Sequence, residues 1–205
     1  MKSVLMGLLL AIFSLVASAH EMRPSIASLS VDSQGVLTLN LVTNMEAWLA
    51  NIDPSLTDTN DSPNAAVYDQ LRALDATRLE AVIRDQEREI SRVIDVMVGD
   101  TPITMTLSTL EVLPVDDDEL PRDTQLTFVG GLPDGADALV YRVSDTMPNT
   151  AIRLFLENAE PRVQFVKSGQ KSDLLSLDQA VKRSLSALVV EYIELGFTHI
   201  IPRGL

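Results

Sequence analysis

His20 and His199 are the only histidines in this chain of 205 residues, and cysteine is absent. The missing thiol rules out disulfides, thiolate metal ligands and a cysteine nucleophile. No G-x-S-x-G turn presents a serine nucleophile, and no glycine-rich loop opens a helix to cradle phosphate. The residues make no positive case for catalysis, and the expectation is a protein that is not an enzyme. What remains is metal ligation by imidazole, carboxylate and backbone amine.

His20 is the sharper of the two imidazoles because of what precedes it. Met1-Lys2-Ser3 carries one positive charge, Val4 to Val16 is an apolar run of thirteen residues, and Ala17-Ser18-Ala19 follows. Such a run is short for a bilayer span, whereas the order fits an exported leader with a small-residue cleavage site. Residues 1–19 therefore read as a signal peptide. Cleavage would leave an amine and an imidazole on one residue, two nitrogen donors that suit Cu(II) or Ni(II). A firm site needs a further ligand; Glu21, Met22 and His199 are the candidates.

A second group sits in the stretch DTNDSPNAAVYD, residues 58–69. Asp58, Asn60, Ser62, Asn64 and Asp69 fall at positions 1, 3, 5, 7 and 12 of a calcium loop. Proline replaces the glycine of position 6, and an aspartate replaces the closing glutamate. Calcium is accordingly the weaker expectation, since helix capping accounts for most of the same residue types. The run Asp116-Asp117-Asp118-Glu119 reads as a solvated loop. With 29 acidic against 16 basic side chains and a net charge of −13, the chain is a poor match for nucleic acid.

Elements able to position these groups follow from periodicity. Ala27, Leu29 and Val31 alternate with polar residues, as do Leu37, Leu39 and Leu41, and Ser33-Gln34-Gly35 lies between them. This predicts a hairpin. Asp, Asn, Ser and Pro crowd residues 51–64 and predict a loop. Ser62-Pro63 then reads as the start of one helix and Asp75 as the start of another. In the second, Leu79, Val82, Ile83, Ile90, Val93 and Ile94 recur at helical steps until Gly99-Asp100. From Thr101 to about Lys171 the period returns to two, with Ile103–Leu107, Leu126–Phe128, Leu139–Val143, Ile152–Leu156 and Val163–Phe165 as strands. Gly130-Gly131 and Pro133-Asp134-Gly135 read as turns.

The predicted fold is mainly β: an antiparallel β-sandwich over residues 20–171, with a two-helix insertion at about 62–98. Residues 168–176 read as a polar hinge. The segment 172–205 reads as an amphipathic linker helix that Asp178 would cap, with a stripe of Val181, Leu185, Leu188, Tyr192 and Leu195. Trp48, the only tryptophan, reads as a core or loop anchor.

The C-terminal residues Tyr192, Gly196, Phe197, His199, Ile200, Pro202, Gly204 and Leu205 resemble the approach to the first membrane span of the HupE/UreJ-like family. These are bacterial membrane proteins associated with nickel and related cations, in which this motif runs into Asp-His and a long apolar helix. The start His20-Glu21-Met22-Arg23-Pro24 and residues 45–74, with their Glu-Ala, Ile-Asp-Pro and Asp-Ser-Pro-Asn-Ala runs, are similar to members that carry a periplasmic domain. The middle strands carry no matching motif.

The resemblance implies an exported domain at the periplasmic face of the inner membrane, cut before the first span of a longer transporter. Its implied partners are the membrane part of the same or a related transporter and the membrane surface, and its implied metal is nickel or a related cation. The family's metal chemistry is expected in membrane helices that this chain lacks; only His199 carries over. Glu191, Glu194 and His199 interrupt residues 185–201, and each central charge costs about 2.5–3.5 kcal/mol on insertion. That stretch reads as a surface-lying lead-in. Two other readings stay open: a stand-alone periplasmic copper or nickel binder using His20, and an interaction domain without metal that docks a partner through the 181–195 stripe.

Overall fold

The computed structural model describes residues 22–114, 120–157 and 159–178. Residues 1–19, read above as a signal peptide, His20, Glu21, the acidic run 116–119 and the whole C-terminal motif from Tyr192 to Leu205 lie outside the described residues.

Alternating side chains build the first sheet. β1 (Ser25–Val31) and β2 (Val36–Thr43) form the predicted hairpin, with Leu29 opposite Leu39. Its turn is tightened by Asp32, whose carboxylate accepts from the amides of Gln34 and Val36 at 2.8 and 2.9 Å. Gly35 there takes a φ of +77°, which glycine adopts without steric cost. With β5 (Thr106–Val112), β6 (Thr124–Gly131), β8 (Thr150–Phe155) and β9 (Arg162–Val166) the hairpin forms a six-stranded sheet of order β5-β6-β2-β1-β8-β9. All its pairings are antiparallel except β1 with β8, which is parallel.

The second sheet has the order β10-β7-β3-β4, from β3 (Ile94–Val98), β4 (Thr101–Pro102), β7 (Ala138–Val143) and β10 (Leu175–Ser176). Leu29, Leu39, Leu126, Phe128, Ile152 and Leu154 of the first sheet share one core with Val96, Leu139, Tyr141 and Val143 of the second. The protein is a mainly β, sandwich-like fold, as the sequence predicts. The run Ile103–Leu107 is not one strand. Ile103 and Met105 are buried where the chain crosses from β4 in one sheet to β5 in the other.

The helical insertion differs from expectation at both ends. A short helix α1 (Met45–Leu49) follows β2 at once. Then come a 3-10 turn (Thr59–Asp61), α2 (Ala65–Arg72), α3 (Ala76–Asp85) and α4 (Glu87–Val93). Helix α2 starts two residues after Pro63, and Asn64 precedes it without a side-chain cap. Ser62 instead accepts from the Asn64 amide at 3.1 Å, bending the chain into the helix. Asp75 caps α3 as predicted, accepting from the Arg78 amide at 2.8 Å.

The apolar pattern stays compatible with a helix past Ile94, since Val96 and Met97, adjacent and both buried, also fit a helical stripe. Residues 94–97 nevertheless pair with β7, and Gly99, at φ +59°, turns the chain into β4. Leu79, Ile83 and Ile90 of α3 and α4 close the core beside β5. Glu80 accepts from the Val112 amide at 3.3 Å, covering one donor of this edge strand.

Two further expectations are corrected. Gly130-Gly131 is the end of β6 rather than a turn, pairing with Leu37 and Val36. A Cβ on Gly130 would lie 2.6 Å from Met105 Sδ and 2.8 Å from Thr104 O, so the glycine serves close approach. The 168–176 stretch is no hinge, and the folded body does not stop at 171. Ser172 exchanges hydrogen bonds with Tyr141, and Leu175 is fully buried. Arg162 of β9 donates to the carbonyls of Ser176 and Asp178, and Gln164 accepts from the Asp173 amide at 2.9 Å. Residues 172–178 thus belong to the second sheet through β10 and are bonded to the first through β9, closing one side of the sandwich.

Candidate functional site

The side chains that converge in this fold lie around α1. Asn44, the last residue before the helix, accepts from the Ala47 amide at 3.0 Å and donates to the Tyr68 hydroxyl at 3.3 Å. Two residues on, Glu46 is fully buried. Its Oε1 receives Arg122 Nε at 2.9 Å and Nη2 at 2.6 Å, and Arg72 Nη1 stands 4.0 Å away. Arg122 also donates to the carbonyl of Leu74 at 2.9 Å and to that of Leu71 at 3.4 Å, at the C-terminal end of α2. One guanidinium therefore joins α1, the α2–α3 link and the approach to β6.

Burial is the largest influence on the Glu46 carboxyl and raises its pKa above 4.5. The Arg122 charge and hydrogen bond, then the Arg72 charge, oppose this in part, and Asp123 adds to the rise. Glu46 Oε2 is buried without a hydrogen-bond partner, so half the carboxylate gains nothing to offset its lost hydration. Burial likewise raises the Tyr68 phenol. A carboxylate sealed this way has no path to a substrate, and its chemistry is cohesion rather than proton transfer.

Beside this cluster a small cleft opens between α1 and the β7–β8 connection. Met22, Arg23, Trp48, Ile52, Thr146 and Pro148 are among its lining residues, and its volume is about 10 Å³, the scale of one water molecule. Trp48 donates to Thr146 Oγ1 at 3.3 Å and packs on the core, as expected of an anchor. The Met22 amide donates to the Thr57 carbonyl at 3.1 Å, and Met22 packs against the small cluster of Ala47, Ala50, Ile52 and Tyr68. The described start of the chain is held against the 45–68 region.

The proposed calcium ligands do local work. Asp58 accepts from the Asn60 amide at 2.8 Å and caps the 3-10 turn. Ser62 bends the chain as above, and Asn64 donates to the Asn51 carbonyl at 3.2 Å. Asp69 lies on the exposed side of α2. Among the described residues no three His, Asp or Glu side chains come together in a way that could hold a metal ion. His20, Glu21 and His199 lie outside the described residues, as do Tyr192, Gly196, Phe197, Pro202 and Gly204. No described helix is long and apolar enough to cross a membrane.

The Glu46–Arg122 pair escapes a reading by motif. Glu46 does stand out as a lone charge in the apolar run Met45–Ala50, which is a usable signal. Its partner lies 76 positions away and carries no local mark. Compared with protein-family models and with curated protein sequences, the chain matches none.

Proposed function

We propose that this chain is the extracytoplasmic domain of a HupE/UreJ-like transporter of nickel or a related metal cation, assisting metal delivery or assembly of the membrane part. What supports the reading is that two separate stretches carrying the resemblance meet in space. The 20–24 stretch touches the 45–74 stretch through the Met22–Thr57 hydrogen bond and the packing of Met22 on Ala47, Ile52 and Tyr68. Motif residues that merely decorated a surface would have no reason to share one small cluster. In this proposal the sandwich stands outside the membrane, and His20, His199 and Glu21 are the residues that would meet the metal.

The test uses the native gene, read beyond codon 205, in cells that depend on it for nickel. Deleting residues 22–178 in frame is expected to lower nickel uptake while the remaining product stays in the membrane fraction. Unchanged uptake of nickel, cobalt and copper, or a native product recovered free of membranes, sinks the proposal.

A further inference from the structure

Arg153 projects from the middle of β8 on the outer face of the six-stranded sheet. Alternation turns its neighbours Ile152 and Leu154 into the core, where both are fully buried. Outside, Arg153 stands in register between Val163 of β9 and Ser28 of β1, and Phe155 follows it on the same strand. The adjoining row across the three strands is Phe165, Ala151 and Ile26. Arg153 is exposed, and Phe155 and Phe165 are 41% and 40% exposed. No described carboxylate stands within ion-pair distance of its guanidinium, Glu157 and Glu160 of the β8–β9 connection included.

On the outward positions of β1, β2, β6, β8 and β9, Arg153 is the one charged side chain, although charged residues make up 22% of the chain. Depletion of charge around aromatic and arginine side chains is the composition of an interface core. The size of the patch then selects the occupant. Three strands by three outward positions cover roughly 300 Å², well short of the about 800 Å² per partner in a stable folded complex. A second copy would also bring the same net charge of −13. Bilayer surfaces are held by clusters of basic residues, and one arginine on an acidic protein is no such cluster. A single helix fits. With its side chains it is about 10 Å across, the separation of β9 from β1, and about nine of its residues span the roughly 13 Å from Ala151 to Phe155.

From these observations we infer that the outer face around Arg153 receives one amphipathic helix of a partner protein. An Asp or Glu at the centre of its apolar stripe pairs with Arg153, and its apolar side chains seat on Phe155, Phe165 and Ile26. The carboxylate is the recognising group, since a bidentate pair with a guanidinium fixes register as well as attraction. The phenylalanines exclude water around that pair. The inference does not rest on the proposed function, because such a helix would dock on the sandwich whether or not the domain serves a metal transporter.

Site-specific photo-crosslinking of the full chain in its native cells provides the test. Phe165→benzoylphenylalanine is expected to give an adduct with one protein, joined within a helical segment beside an Asp or Glu. Thr127→benzoylphenylalanine, on β6 of the same face, is expected to give none. Arg153→Glu should lower the Phe165 adduct at least about tenfold, and exchanging the partner's acid for Arg should restore it. That rescue separates lost docking from lost folding, since a reversed charge on the partner cannot repair a misfolded chain. Absence of an adduct at position 165, an adduct indifferent to Arg153→Glu, or failure of the charge reversal to restore it overturns the inference. So does an adduct with a second copy of this chain or with phospholipid, which would assign the face to self-association or to the membrane.

Discussion

Arg122 Nη2 lies 2.6 Å from Glu46 Oε1, and both side chains are withdrawn from solvent, at 9% and 0% exposure. The pair joins the first short helix to the chain entering β6, and through the Leu71 and Leu74 carbonyls it holds the end of α2 as well. A charge placed this deep is costly when it stands alone, so the two residues matter more through their dependence on each other than through net attraction.

Removing one partner should therefore be severe. Arg122→Ala leaves Glu46 buried and uncompensated and strips two helix-end carbonyls of their donor. The expected loss is about 3–5 kcal/mol in urea unfolding. Arg122→Ala combined with Glu46→Leu should recover a good part of it. A single-variant loss under about 1 kcal/mol would show that water reaches the pair.

The pH dependence carries a sign. Burial raises the folded-state pKa of Glu46 above its unfolded value of 4.5. Folding therefore takes up a proton between 4.5 and the raised value. Relative to Glu46→Gln, the parent protein should gain stability as pH falls from neutrality through that window and change no further below it. Urea midpoints of both proteins from pH 8 to pH 4 check this; a relative loss on acidification means that the arginines outweigh burial. Asp53 acts in the opposite sense at lower pH, since the Ser55 amide lowers its pKa below 3.8.

Asn44 has two bonds to lose. Asn44→Ala removes the α1 cap and the donor to Tyr68, with an expected cost of about 1–2 kcal/mol. Asn44→Asp should keep the cap and recover part of that loss. If alanine and aspartate behave alike in thermal unfolding, the cap contributes nothing.

Residues 172–178 are part of the body. Leu175→Ala empties a fully buried site and should cost about 2–5 kcal/mol. A chain ending at Lys171 should melt well below one ending at Asp178. Equal melting temperatures would restore the hinge that composition alone suggests.

Several features were legible in the residues themselves because they depend on neighbours in sequence. Leu37, Leu39 and Leu41 announce β2 by alternation, Asp75 announces α3 by its capping oxygen, and Pro133-Asp134-Gly135 announces a turn, where Gly135 has φ +76°. Local chemistry likewise makes Asp58 and Ser62 turn formers before it makes them ligands. Other features depended on partners that local pattern does not reveal. Residues 94–98 keep a helix-compatible apolar rhythm and become strand only because β7 offers a ladder. The parallel pairing of β1 with β8 joins segments more than a hundred residues apart. Glu46 and Arg122 follow the same rule. A charge in an apolar run is visible in sequence, but which distant guanidinium compensates it is settled only when the two sheets and α2 close around both.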